Sequence, residues 1–369
     1  MTITASQWLE KIRQLPLPPK IKIMNVCGGH ERAITAAGLR TILPSPIELI
    51  PGPGCPVCIC PEEDIHTAIQ LALQEKITLV AFGDMLRVPI NVSKKEIRSL
   101  EQAKAVGADI HPVASPLEVL QIAQQHPEKT IVFFATGFET TTAPVAALLA
   151  QGIPDNLLIL LSGRLTWPAV ALLLESGQAT FDALIAPGHV ATVMGSQEWE
   201  FVVTQHHLPA AIAGFTPQSL LAAIYSVLRQ YLERNYFLDN CYPQVVTAQG
   251  NLTAKQYLQQ TLIIEDASWR GIGTIPLSGF TLRNHQYDAK QRFPDYVHHS
   301  RQHHSAMPPG CDCAKVVLGR IYPNECYLYG TVCTPRTPIG PCMVSEEGAC
   351  RIWWSGGVRS QNENRTASP

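Results

Sequence analysis

The residues most able to do chemistry in this 369-residue chain are its eleven cysteines, and their spacing is uneven. Cys27, Cys55, Cys58 and Cys60 lie near the start, while Cys311, Cys313, Cys326, Cys333, Cys342 and Cys350 crowd the end. Only Cys241 falls between the two groups. Ordinary core usage would scatter them, so two thiol centres are expected. In a reducing compartment such abundance points to metal binding or redox chemistry rather than to disulfide staples.

Six thiols in the C-terminal segment can place four ligands around zinc or an iron–sulfur cluster. Zinc ribbons carry paired CxxC knuckles, and this segment has none. Its irregular spacing better fits a 4Fe-4S cubane gripped by separated loops. The candidate ligands are Cys311, Cys313, Cys326, Cys333 and Cys350, with the choice among Cys311, Cys313 and Cys342 left open. Free or disulfide-bonded cysteines are the structural alternative.

Near the N-terminus, Cys55-Pro56-Val57-Cys58 has the spacing of a reversible dithiol, or of half a zinc site. The glycines and prolines around it imply a tight, accessible loop, which favours redox. Cys27-Gly28-Gly29-His30-Glu31 sets a thiol three residues before an imidazole at an expected helix start. Backbone N–H groups there favour anions, thiolate included. His30 would lower the thiol pKa or ligate metal itself; a purely structural Cys–His pair is the bland alternative. Glu139 reads as a general base or as a carboxylate capping a helix start. His189 reads as a ligand, a proton relay or a satisfied loop histidine. The four histidines between His298 and His304 read as a solvated linker rather than a metal site.

Positioning these groups falls to an alternating pattern between about residues 21 and 217. Apolar runs at 21–26, 47–51, 77–82, 131–135, 157–161 and 183–186 read as buried strands. Helices are expected over 62–74, 94–106, 116–125, 143–151 and 167–176, with Ser93 and Glu96 as a capping box for the second. A further helix is expected over 218–238. This alternation predicts an α/β fold with parallel sheets, in which binding groups gather at the carboxyl ends of strands. The motifs at Cys27, Cys55, Glu139 and His189 each follow such a strand. There are enough strands for two parallel-sheet α/β domains, expected over 1–127 and 128–240. A Cys-rich iron–sulfur domain is expected over 241–369; its segment from Gly310 onward could not bury much core alone, and a metal site would supply the missing constraint. Residues 360–369 read as a frayed polar tail.

Composition narrows the function classes. Apolar residues at 46% and charged residues at 16% argue for substantial cores and against global disorder. A net charge of −2 gives no basic field, so neither nucleic acid nor a membrane surface is an expected partner. The N-terminal stretch lacks the apolar run of a signal peptide. No apolar stretch approaches the roughly 18–20 residues that span a bilayer. A cytoplasmic protein is expected. The glycine-rich loops match neither a Walker A nor a GxGxxG pattern, leaving nucleotide binding without a motif.

Five sequences taken together resemble one family, the hydrogenase maturation factor HypD. They are CGGHE at 27–31, GPGCPVC at 52–58, TGFETT at 136–141, PGHV at 187–190, and the stretch from Gly310 through CTPRTPIGPCMVSEEGAC at 333–350. The resemblance covers almost the whole chain. It implies two similar α/β domains with a cluster-binding third, and a role in building the Fe(CN)2CO group of nickel–iron hydrogenases. It also implies a small HypC-type chaperone that helps carry iron, and HypE, working with HypF, as the cyanide donor. Carried over by motif, Cys27 would hold the iron with help from His30. Cys55 and Cys58 would be the redox dithiol, and the C-terminal cysteines would hold a 4Fe-4S cluster. Glu139 and His189 would line the site and handle protons or orient the diatomic ligands. Cys60 departs from the family, which usually carries a hydroxyl residue there. A cluster-dependent thiol–disulfide oxidoreductase and a structural zinc hub are the competing readings.

Overall fold

A computed structural model describes residues 3–93, 95–177, 179–300 and 307–360. Its strands, in chain order, are β1 (Ile21–Asn25), β2 (Ile47–Pro51), β3 (Ile77–Phe82), β4 (Ile110–Val113), β5 (Thr130–Gly137) and β6 (Leu157–Arg164). They continue with β7 (Ala183–Pro187), β8 (Ala210–Ala213), β9 (Leu238–Asn240), β10 (Leu262–Trp269) and β11 (Gly273–Leu282). One sheet is parallel throughout, in the order β2-β1-β7-β8-β9. The other runs β10-β11-β6-β5-β3-β4, parallel from β6 to β4, while β11 pairs antiparallel with both β6 and β10 at one edge. The protein is therefore α/β with two mostly parallel sheets.

Central strands of such sheets are covered by helices on both faces and so read as unbroken apolar runs. β6 is buried at every residue and β5 at all but the first. The Pro217–Glu233 helix turns Leu220, Leu221, Ile224, Val227 and Leu228 into the first sheet, a spacing that keeps one stripe inward.

The chain does not fill one sheet before starting the other. β1 and β2 begin the first sheet, β3 to β6 build the second, and β7 to β9 return to the first. The expected division at 127/128 falls between β4 and β5, which share a sheet. The regular strand–helix alternation hides this crossing, because a link between sheets looks like a link within one.

Two helices also differ from expectation. The one expected over 94–106 runs Leu100–Ala105 and is capped by Ser99, whose side chain accepts from the Gln102 N–H. Ser93 and Glu96 close a local turn instead. The helix expected over 218–238 stops at Glu233, where Arg234 turns left-handed (φ 50°) and frees the chain for β9. Among the described residues no helix is long and apolar enough to cross a membrane. His298 and His299 are exposed at the end of the Pro294–Ser300 helix, while His303, His304 and residues 361–369 lie outside the described residues.

Candidate thiol and metal site

The carboxyl ends of β1 and β2 bring the two N-terminal cysteine motifs side by side. Cys27 precedes the Gly28–Ala36 helix, and Cys55 precedes the Pro56–Ile59 helix. The Gly28 N–H donates to Gly54 O (3.1 Å), tying the loops backbone to backbone. Such an approach requires missing side chains: a methyl group on Gly28 would run into Glu347, and one on Gly54 into the Cys27 backbone. Cys55 and Cys58 are joined by a disulfide, the oxidised form of the expected dithiol.

Cys27, the Cys55–Cys58 bond, Asn25, Glu347 and Cys342 wall one narrow crevice. Burial, and next the charge of Glu347, push the Cys27 thiol up to about 12, against the pull of the His30 and Gly29 N–H groups. The thiol thus stays protonated until a cation or base arrives. Burial raises Glu347 as well, with Asp84 adding to it.

His30 lies completely buried beneath this crevice. Its Nε2 faces Ala213 O at 2.9 Å; a carbonyl only accepts, so Nε2 carries the proton. Nδ1 is then an acceptor, and among the described residues it has no partner. Burial holds His30 down at about 4, so the ring is neutral. Phe215 stacks on His189 (3.7 Å between centroids) and also packs on His30 (4.8 Å), linking the two histidines through one ring.

Cys342 joins the crevice to a group of C-terminal cysteines. Cys313, Cys342 and Cys350 place their sulfurs within 4.8 Å of one another, and Cys311 Sγ lies 3.2 Å from Cys313 Sγ. Hydrogen bonds, first with Cys313 and then with Cys350, hold Cys342 down at about 5, a ready thiolate. A buried all-thiol set with one thiolate already favoured suits zinc or iron–sulfur ligation, so the trio could hold a metal. Cys326 and Cys333 are buried in the same core but outside the tight trio. Cys342, left open by the sequence, thus belongs both to the trio and to the crevice of Cys27.

The N-terminal and C-terminal walls are bolted together by polar contacts across the fold. Glu31 accepts from Asn25 Nδ2 (2.9 Å), Arg40 Nη2 (2.9 Å) and the Trp353 indole N–H, while Arg40 lies over the Trp353 ring. The Cys27 helix is thereby fixed against the Ala349–Ser355 helix that carries Cys350.

Glu139 takes another place. It begins the Glu139–Gln151 helix, is fully buried, and accepts from the Thr166 N–H and hydroxyl at 2.7 Å each. Neither it nor His189 lines the crevice. Burial pushes Glu139 up to about 7; burial and then the Glu139 charge push Glu198 up to about 8. The folded protein therefore keeps protons that the unfolded chain loses above about 4.5, and stability falls as pH rises through this window. A tenfold change in proton affinity is worth about 1.4 kcal/mol, so Glu139→Gln is expected to remove a loss on the order of 3 kcal/mol. Urea midpoints at about pH 5 and about pH 8 check this, the variant showing the flatter profile.

Cys60 turns toward the second sheet, with Ser162 Oγ at 3.5 Å and Thr136 Oγ1 at 3.9 Å. It does not line the crevice, so its thiol leaves the Cys55–Cys58 pair undisturbed. Sequence reading missed Glu347 and Glu198, while Asn25 lies in the strand-end sequence that leads into Cys27. Only Glu347 carried a signal, since it sits in the C-terminal motif beside Cys350.

Comparison with known proteins gives a consistent picture. The family profile HypD, described as Hydrogenase formation hypA family, matches residues 3–357. The hydrogenase maturation factor HypD2 of Bradyrhizobium diazoefficiens is 38% identical over 359 residues, covering 94% of this chain and 92% of the relative. HypD of Rhizobium leguminosarum is 39% identical over 347 residues, and HypD of Escherichia coli K12 is 37% identical over 345; each covers 90% of this chain and 88% of the relative. With the crevice and the cysteine trio in place, this chain belongs to the HypD family of hydrogenase maturation factors.

Proposed function

We propose that this protein is the scaffold on which the Fe(CN)2CO group of a nickel–iron hydrogenase is assembled, and that it supplies electrons for cyanide transfer. The observation that carries the reading is the shared crevice, where Cys27, the Cys55–Cys58 pair and Cys342 meet. The iron is cargo, held by Cys27 and handed on with a HypC-type chaperone; HypE delivers cyanide as a thiocyanate. Soft thiolate suits low-spin Fe(II) carrying cyanide and CO.

Each residue then has a task. Iron docking drives the proton off Cys27, and the Glu347 carboxylate, whose charge bears on that thiol, is a base the crevice offers. Neutral His30 offers Nδ1 as an acceptor beneath. Cleaving R–S–C≡N takes two electrons and one proton and yields R–SH and CN⁻. Oxidation of the Cys55–Cys58 dithiol to the disulfide releases two electrons and two protons, which covers the demand. Cys313, Cys342 and Cys350, with Cys311 alongside, would hold a 4Fe-4S cluster. Such a cluster supplies reducing equivalents. His189 and Glu139 keep the task the motifs imply, handling protons or orienting the diatomic ligands; His189 meets His30 only by packing on Phe215, a ring that positions the two histidines and carries no proton. The setting is the cytoplasm.

The test is the infrared spectrum of the protein purified anaerobically with its small chaperone from cells making hydrogenase. Bands in the CN and CO stretching region should be present, and should vanish in Cys27→Ala. Absence of bands from the parent protein, with an intact iron–sulfur signal, would leave a cluster-dependent thiol–disulfide oxidoreductase as the surviving reading.

A further inference from the structure

A buried charge beside the cysteines has no task in the scheme above. Arg270, in the turn between β10 and β11, is completely buried, as is its ion-pair partner Glu62 at the start of the Glu62–Gln74 helix. Its Nη2 donates to Glu62 Oε2 (2.9 Å) and Pro89 O (2.8 Å). Among the described residues, Nε and Nη1 have no partner at all. A guanidinium cannot shed its proton, so orphaned donors in a dry interior carry the full desolvation penalty. An anion in that space would remove the penalty.

The neighbours identify the anion. The Arg270 N–H donates to Ile59 O (3.0 Å), the last residue of the helix that carries Cys58. A methyl group on the next residue, Gly271, would meet Ala314 Cβ at 3.0 Å, and Ala314 follows Cys313. Trp269, Cys313, Cys342 and Cys350 share one core. The Arg270 backbone therefore touches the helix that carries Cys58, and the residue beside it packs against the segment that carries Cys313.

We propose that Arg270 is the counter-charge of the metal–sulfur centre, offering its positive charge and two free donors to the sulfur there, while Glu62 holds the guanidinium in place. The inference rests on the iron–sulfur reading of the C-terminal cysteines. A thiolate-ligated cluster gains negative charge on reduction, so a buried cation at short range favours the reduced form. Arg270 is a positioning and tuning residue; it touches no substrate in this scheme.

The experiment is a redox titration of the full-length protein, followed by the spectrum of the reduced cluster, with iron and acid-labile sulfide assayed in parallel. Simply removing Arg270 would take from the buried Glu62 its ion-pair partner, so the neutral pair Glu62→Gln with Arg270→Gln is the informative variant. It should favour the oxidised form at least tenfold, about 59 mV for one electron. Glu62→Gln alone should move the potential the opposite way, and Arg270→Lys should stay near the parent. Loosened packing cannot produce opposite signs in the two Gln variants. Equal potentials in all four proteins, or shifts of one sign in both Gln variants, would overturn the proposal. A parent protein without iron and sulfide would overturn it together with the iron–sulfur reading.

Discussion

Gly54→Ala is expected to cut iron loading at Cys27 at least about tenfold while leaving the C-terminal metal content unchanged. The methyl group would lie well under 3.0 Å from the Cys27 N and Cα, and backbone cannot swing aside as a side chain can. The loops after β1 and β2 must then separate, and the Gly28-to-Gly54 hydrogen bond is lost. Overpacking of this kind costs about 1–3 kcal/mol, which a domain of ordinary stability survives. The fold should persist while Cys27 and the Cys55–Cys58 pair lose their shared geometry. Gly83→Ala is the control, since nothing lies within 4 Å of its added methyl. Iron per protein, with the CN and CO bands beside it, reads the effect. Normal loading of Gly54→Ala would mean that the two motifs act independently.

The second large effect is expected at Cys342. Replacing it with Ser should strip the C-terminal segment of bound iron and sulfide, because the preferred thiolate of the trio disappears. The same substitution should slow reductive opening of the Cys55–Cys58 bond, because Cys342 also faces that bond across the crevice. Cys350→Ser should lose the metal too, whereas Cys241→Ser, at the end of β9, should lose nothing. Metal analysis and counting of reactive thiols after a limited dose of reductant separate the two effects. Full metal content in both Cys342→Ser and Cys350→Ser would refute the trio as a ligand set.

Legibility in the sequence followed the range of the forces involved. β2 and β3 appear at their expected bounds, as do the Glu62–Gln74 and Pro116–Gln125 helices, because local apolar periodicity decides them. β4 escapes such a reading: its residues Ile110-His111-Pro112-Val113 bury only the two ends, so neither an alternating nor an unbroken apolar pattern shows. β10 is exposed along most of its middle and gains its place by pairing with β11, information held in another segment. The site divides the same way. The motif cysteines were legible as local spacings after strands. Glu347 against Gly28, or Trp353 donating to Glu31 across 322 residues of chain, could not be. The shared role of Cys342 is also a property of the closed fold alone.

The route of the chain between its two sheets has a consequence for biosynthesis. When the first 127 residues have left the ribosome, two strands of each sheet exist and neither sheet has its middle. β1 waits for β7 on one side, and β3 waits for β5. Folding from the N-terminus inward, the usual habit of multidomain chains, is closed to this molecule. Cys27, Cys55 and Cys58 emerge early and stand unsheltered until their distant wall arrives with Cys342 and Glu347. These thiols are thus exposed longest in the nascent chain, and their vulnerability to oxidants is greatest before the fold is finished.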